Sequence, residues 1–259
     1  MEKFCDEKQI PLKNIISIAI DGTPAMTGRH KDFIAAVNKI RSNSLNDRLF
    51  SQLCVANDED FNQLLLHTEV RWLSKGTCLT RFYNLFDSVI EFLKNKDTGL
   101  RDNLITSKND ILYLTDLYKL FNDVNLQLQV DDLNSIKTKT VISTFVAKLL
   151  LYKKNISRRE FNNFPDLAAA SFINDDLVVY CQLLENLHND FKERFQDILN
   201  MDIPDWVLYP FSNVNTAESF QLEEQLLELT TNKEIKFKFK NGYQEFWLQK
   251  PIMELYPRL

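Results

Sequence analysis

The sequence predicts a mainly α-helical fold with one short strand near the N-terminus, and three observations carry that reading. The 259 residues include only 5 Gly and 7 Pro, where typical usage would give about 18 and about 13. Folds rich in β-turns lean on Gly, so a many-stranded sandwich or barrel is disfavoured. Apolar residues recur three and four positions apart over long stretches, the spacing of a helix face. One run, Ile15-Ile16-Ser17-Ile18-Ala19-Ile20, is instead short, continuous and β-branched, and stops at Asp21-Gly22. It suits a buried strand with a turn at its C-terminal end.

The helices follow in order. Phe33, Ile34, Val37 and Ile40 share a helical spacing. Ser44 is a candidate N-cap with Asp47 three residues on, ahead of Leu45, Leu49 and Leu53. From Ser74, a wide stripe of Cys78, Leu79, Phe82, Leu85, Phe86, Val89, Phe92 and Leu93 predicts about five turns. Ser107 and Asp110 read as a capping pair before Ile111, Leu114, Tyr118, Phe121 and Val124. Leu133 to Tyr152 carries Val141, Phe145, Val146 and Leu149. Ser157 and Glu160 form a further S-x-x-E start, ended by Pro165. Asn174 opens a helix with Leu177, Cys181, Leu184, Leu187, Phe191, Phe195 and Ile198. After irregular aromatic stretches (Ile203-Pro204-Asp205-Trp206, Tyr209-Pro210-Phe211), a helix carries Leu222, Leu226 and Leu229. Ile235-Lys236-Phe237-Lys238-Phe239-Lys240 alternates strictly and reads as a strand.

Composition narrows the function classes. With 44% apolar residues and 19 Phe the chain can fill a sizeable core, and its length suggests one or two domains. No apolar run approaches the roughly 18–20 residues of a membrane span. The charged start is not a signal peptide. The scattered Cys5, Cys54, Cys78 and Cys181 read as reduced thiols of an intracellular protein. A net charge of -5 gives no global drive towards nucleic acid, so any DNA contact is local.

Sites with strict spacing rules are missing from the sequence. Zinc pairs need Cys/His two to four residues apart, and His30, His67 and His188 pair neither with each other nor with a cysteine. No G-x-S-x-G elbow occurs. Gly22 to Gly28 encloses five residues without a following lysine, where a phosphate loop needs four and Lys. Cys78 and His188 fall on apolar faces and read as structural. Lys236, Lys238 and Lys240 with Phe237 and Phe239 read either as a nucleic-acid stripe or as a solvated face over a buried one. The nearest approaches to a nuclear-import cluster are Lys153-Lys154 and Arg158-Arg159.

Two stretches carry a resemblance. Ile20-Asp21-Gly22-Thr23-Pro24-Ala25-Met26-Thr27-Gly28 and Leu64-Leu65-Leu66-His67-Thr68-Glu69-Val70-Arg71-Trp72-Leu73-Ser74-Lys75-Gly76 resemble motifs of the hAT superfamily of DNA transposases. They are most similar to its domesticated Buster/Charlie-like descendants, the zinc finger BED-domain and SCAN-domain-containing proteins. Ser44 to Phe50, Ile203 to Trp206, Pro210-Phe211, Phe239 to Tyr243 and Phe246-Trp247 extend the likeness along the chain.

The resemblance implies an RNase H-like core interrupted by a large helical insertion, with three acids holding two Mg²⁺ ions for phosphodiester cleavage. Asp21 matches the second acid, although Asp before Gly also simply starts a turn. The family's first acid would precede Met1 and its third would follow the Tyr256-Pro257 motif. A Cys-x-x-His segment near Val37–Arg41 and a BED zinc finger are missing from the sequence. The expected organisation is therefore a remnant of the RNase H-like core over 1–60, the helical insertion over 61–200, and its C-terminal helical and irregular part over 201–259, ending before the last catalytic segment.

One carboxylate cannot assemble a two-metal centre, so the expectation is a domesticated or degenerate, catalytically inactive protein without cofactor. It would act in the nucleus through DNA or nuclear proteins, without membrane contact, and homo-oligomerisation is consistent with the family. Two alternatives stand beside it. One is a residual Mg²⁺-dependent DNA-cleaving enzyme using Asp21, with Glu69 and Asp32 the first acids to seek beside it. The other is a decaying transposon fragment without function. Arg71 and Trp72 are the candidate DNA contacts; alternatively Trp72 packs under the following helix and Arg71 pairs with Glu69 or Asp87.

Overall fold

The computed structural model describes residues 31–65, 72–170, 174–211, 220–239, 242–257 and 259. Every regular element among them is a helix. The predicted strand at Ile15–Ile20 lies outside the described residues. The chain divides into two units, Met1–Asn200 and Met201–Leu259.

In the first unit, helices α1 (Lys31–Arg41) and α2 (Ser44–Ala56) form a pair. The N-cap of α2 is Asn43, whose side chain accepts the backbone N–H of Leu45 and Asn46; Ser44 is already inside the helix. The buried face of α2 is Phe50 and Cys54, while Leu45 and Leu49 are exposed. Asp47 does not close a capping box but pairs with Arg41 at 2.6 Å. That pair and the Phe50–Phe92 ring contact turn α2 so that the aromatic goes inward.

The long apolar stripe is two helices, α3 (Trp72–Asn84) and α4 (Phe86–Lys94), meeting at Leu85. All eight predicted apolar positions of the stripe are buried. Next come α5 (Thr98–Thr106), α6 (Lys108–Gln127), α7 (Ser135–Ser157) and the short α8 (Pro165–Ala168). The unit ends with α9 (Asn174–Arg194) and α10 (Gln196–Asn200). The broadest packing is α7 on α9, followed by α3 on α6. One line of rings, Phe121, Phe145, Phe191 and Phe195, runs between α6, α7 and α9 with centroids 5.3–6.0 Å apart, the separations aromatic pairs favour.

The helix expected after Ser107 does start there, as α6, without the expected side-chain cap, and the start expected at Ser157 is absent. Ser107 precedes α6, but its hydroxyl donates back to Asn103 O at 2.9 Å and closes α5 instead of capping α6. Asp110 accepts the Tyr180 hydroxyl at 3.0 Å. At Ser157–Glu160 a helix ends. Arg159 is left-handed (φ 61°), its N–H donates to Ile156 O, and the Glu160 N–H donates to Asn155 O. That is the Schellman pairing of a helix C-terminus. Asp58 (φ 55°) closes α2 in the same way, with Glu59 N–H on Cys54 O. In a chain so poor in Gly, ordinary residues occupy positions that glycine usually fills.

The second unit contains α11 (Asp205–Leu208), α12 (Phe220–Thr231), α13 (Lys233–Lys238), α14 (Tyr243–Trp247) and α15 (Lys250–Leu255). The strand expected at Ile235–Lys240 is overturned: Lys233–Lys238 is helical. Asn232 caps it by accepting the N–H of Glu234 and Ile235, each at 3.2 Å. In a strand, Ile235, Phe237 and Phe239 would share one face. In the helix, Ile235 and Phe239 lie one turn apart and pack inward, and Phe237 is 67% exposed. No described strand is there to pair with it, and a lone strand would leave its backbone groups unbonded.

Candidate interaction surface

The residues proposed from the sequence as metal ligands or DNA contacts are reached only in part. Asp21, Glu69 and Arg71 lie outside the described residues, and of Trp72 the structure gives the position at the start of α3. Asp32 sits in the first turn of α1 and faces Asn103 of α5, whose Nδ2 lies 3.5 Å from its Oδ1. Asp87 is in the first turn of α4. Among the described residues no three His, Cys, Asp or Glu side chains come together as a metal-holding group. Cys54, Cys78 and Cys181 are free thiols, each pushed up by burial, Cys54 to about 11 with Glu59 adding to the effect. Such thiols are inert rather than nucleophilic.

One carboxylate that no sequence motif marks is buried in α6. Asp116 lies within Ile111-Leu112-Tyr113-Leu114-Thr115-Asp116-Leu117-Tyr118, and it is 1% exposed. Its Oδ2 accepts the Leu167 N–H at 2.9 Å, capping α8 from another helix. Its Oδ1 makes no hydrogen bond, with Lys119 Nζ 3.8 Å away. That ammonium sits on Asp166 Oδ2 at 2.5 Å. Burial pushes the Asp116 carboxyl up to about 7; the Leu167 N–H opposes this and Asp166 adds to it. A group so enclosed offers no route to a substrate, so the cluster clasps α8 onto α6. A lone acid within an apolar helical run was the signal that could have found it.

The C-terminal motif residues of the resemblance also go inward. Trp206 and Trp247 meet edge to face at 5.7 Å, and Trp247 Nε1–H donates to Val207 O at 2.8 Å. Phe211, Phe239 and Phe246 form a mutual trio with centroids 5.3–5.6 Å apart. Gly242, at φ 93° and ψ 170°, starts α14 in a conformation open only to glycine. These residues build the core of the second unit.

What faces outward with a strong charge is α7. Residues 135–159 include seven Lys/Arg and no Asp or Glu. Ile142, Phe145, Leu149, Tyr152 and Ile156 form its buried face. At the flank Lys153 pairs with Glu185 of α9 at 2.8 Å, and near the start Lys137 pairs with Asp132. On the opposite side Lys148, Lys154 and Arg158 are exposed, without an ion-pair partner among the described residues. Leu150 and Leu151 lie among them, 43% and 50% exposed.

The described residues are thus helical, with Asp116 and the motif aromatics engaged in packing within their own units and a basic outer face on α7. Residues 30–157, spanning α1 to α7, match the family described as the FAM200/GTF2IRD2 helical domain. The chain is 26% identical over 263 residues to the General transcription factor II-I repeat domain-containing protein 2 of Bos taurus, a match covering 99% of this chain and 26% of that protein. It is 25% identical over 231 residues to the protein of the same name from Mus musculus, covering 87% and 24%. The chain spans about a quarter of the length of these relatives. No solved structure is significantly similar to it.

Proposed function

We propose that the chain is a degenerate, hAT-type transposase-derived domain that has no catalytic activity and acts in the nucleus by binding proteins or DNA. The observation that carries this reading is where the chemistry-bearing side chains go. Asp97 pairs with Lys39 at 2.6 Å and caps α5, Asp116 caps α8, and Asp32 stands beside an amide. None of these carboxylates meets two others. The likeness of residues 30–157 to the FAM200/GTF2IRD2 helical domain supports descent from a helical insertion. The relatives' name, with its transcription-factor repeats, supports a nuclear setting.

A plasmid-nicking assay tests the reading. The wild-type chain with Mn²⁺ or Mg²⁺ is expected to leave supercoiled DNA intact. Nicking that is lost in Asp21→Asn would establish the residual metal-dependent enzyme instead.

A further inference from the structure

We infer that the outer face of α7 docks an acidic, leucine-bearing helical segment of a partner protein, with Lys148, Lys154 and Arg158 supplying the charge and Leu150 and Leu151 the apolar contact. The inference rests on the reading of the chain as a binding domain and names the surface and the partner's chemistry.

The geometry follows from the helical period. Ile142, Phe145, Leu149, Tyr152 and Ile156 recur three and four apart and fix the inward face. Leu151 and Arg158, seven apart, then lie opposite that face, with Lys154 between them and Lys148 one turn before Leu151. Three exposed cations and two half-exposed leucines thus occupy about three turns. Elsewhere on α7 cations find partners: Lys153 has Glu185 and Lys137 has Asp132. Lys148, Lys154 and Arg158 have none among the described residues.

The composition of the face selects among anionic occupants. A phosphate backbone takes cationic and hydrogen-bond donors and, in single strands, stacking aromatics. This face offers two aliphatic side chains, which a phosphate backbone does not use, and no aromatic on which a base could stack. A membrane-bound helix needs a broad apolar face, but that of α7 is spent on the core. A second copy laid face to face would bring the same cations together. An acidic helix with leucines at three- and four-residue spacing satisfies both kinds of side chain at once, charge giving orientation and buried leucine giving affinity.

Titrating the full ¹⁵N-labelled chain with a synthetic helical peptide carrying Glu and Leu at that spacing tests the inference. Backbone shifts are expected on residues 147–158. The triple variant Lys148→Glu/Lys154→Glu/Arg158→Glu is expected to weaken binding at least about tenfold, as losing and inverting three exposed attractions implies. Leu150→Gln/Leu151→Gln is expected to weaken it severalfold with the charge intact. These positions are exposed, so both variants keep wild-type helicity by circular dichroism. Shifts mapping elsewhere, or binding indifferent to either variant, overturn the inference. So does a duplex DNA probe of equal charge that binds the same face more tightly. Cleavage of that duplex with Mn²⁺ present would instead sink the non-catalytic reading, which the peptide titration does not touch.

Discussion

Asp116 of α6 accepts the backbone N–H of Leu167 at 2.9 Å across 51 residues of sequence, so a buried carboxylate holds the N-terminus of α8. Its proton affinity is raised in the folded chain, to about 7 from an ordinary 3.8, mainly by burial. Between those values the folded state binds the proton and the unfolded state does not. The stabilisation from neutral Asp116 is therefore fully present below about pH 4 and lost as pH rises through about 7, by on the order of a few kcal/mol. Asp116→Asn keeps an acceptor for Leu167 and removes the ionisation. Thermal denaturation between pH 4 and 8 should show a flatter profile for the variant and a higher Tm than wild type at pH 8. Identical slopes would contradict the buried clasp.

The clasp also predicts the cost of losing the acceptor. Asp116→Leu leaves the Leu167 N–H without its acceptor, which costs about 1–3 kcal/mol. Proteolysis in the 158–170 segment should then outpace that of wild type. Asp116→Asn should not show this.

Asp58 ends α2 at φ 55° with its side chain exposed. A β-carbon is unfavourable there, so Asp58→Gly should stabilise the chain by about 0.5–1 kcal/mol, read as a higher Tm. Gly242 is the reverse case. An added Cβ would meet nothing within 4 Å, so the cost of Gly242→Ala is one of backbone conformation, about 1–3 kcal/mol. Denaturant unfolding followed by Trp fluorescence should report it, because Trp206 and Trp247 are in the second unit.

The helical form of Lys233–Lys238 separates three neighbouring apolar residues. Ile235→Ala should cost about 2–5 kcal/mol, and Phe237→Ser should stay within about 0.5 kcal/mol. Equal costs at Ile235 and Phe237 would restore the alternating strand.

These cases show which parts of the fold were legible. The stripe from Cys78 to Leu93 was readable because burial and helical spacing coincide in it, and all of it is buried. On α2 the same spacing pointed to Leu45 and Leu49, but a ring contact between Phe50 and Phe92 decided the buried face. Spacing ranks faces only by apolarity and cannot see a partner. Ser107 and Ser157 had the letters of a capping box, yet their hydroxyls turn back onto the preceding turns, at Asn103 O and Lys154 O. A serine at a helix junction can serve either end. The alternation at Ile235–Lys240 suggested a strand because a six-residue helix with one exposed Phe imitates a period of two. Of the candidate site, Asp21, Glu69 and Arg71 fall outside the described residues; the oddity of Asp116 in an apolar run and the basic content of α7 are visible in the sequence, but the partner Leu167 and the choice of outward face depend on which helices meet.

The central claim is a helical, transposase-derived domain that works by binding and not by cleavage, and calorimetric titration of Mn²⁺ into the wild-type chain and Asp21→Asn tests it most directly. Weak heats that are the same for both proteins are the predicted result. Tight, saturable binding to wild type that disappears in Asp21→Asn would contradict it.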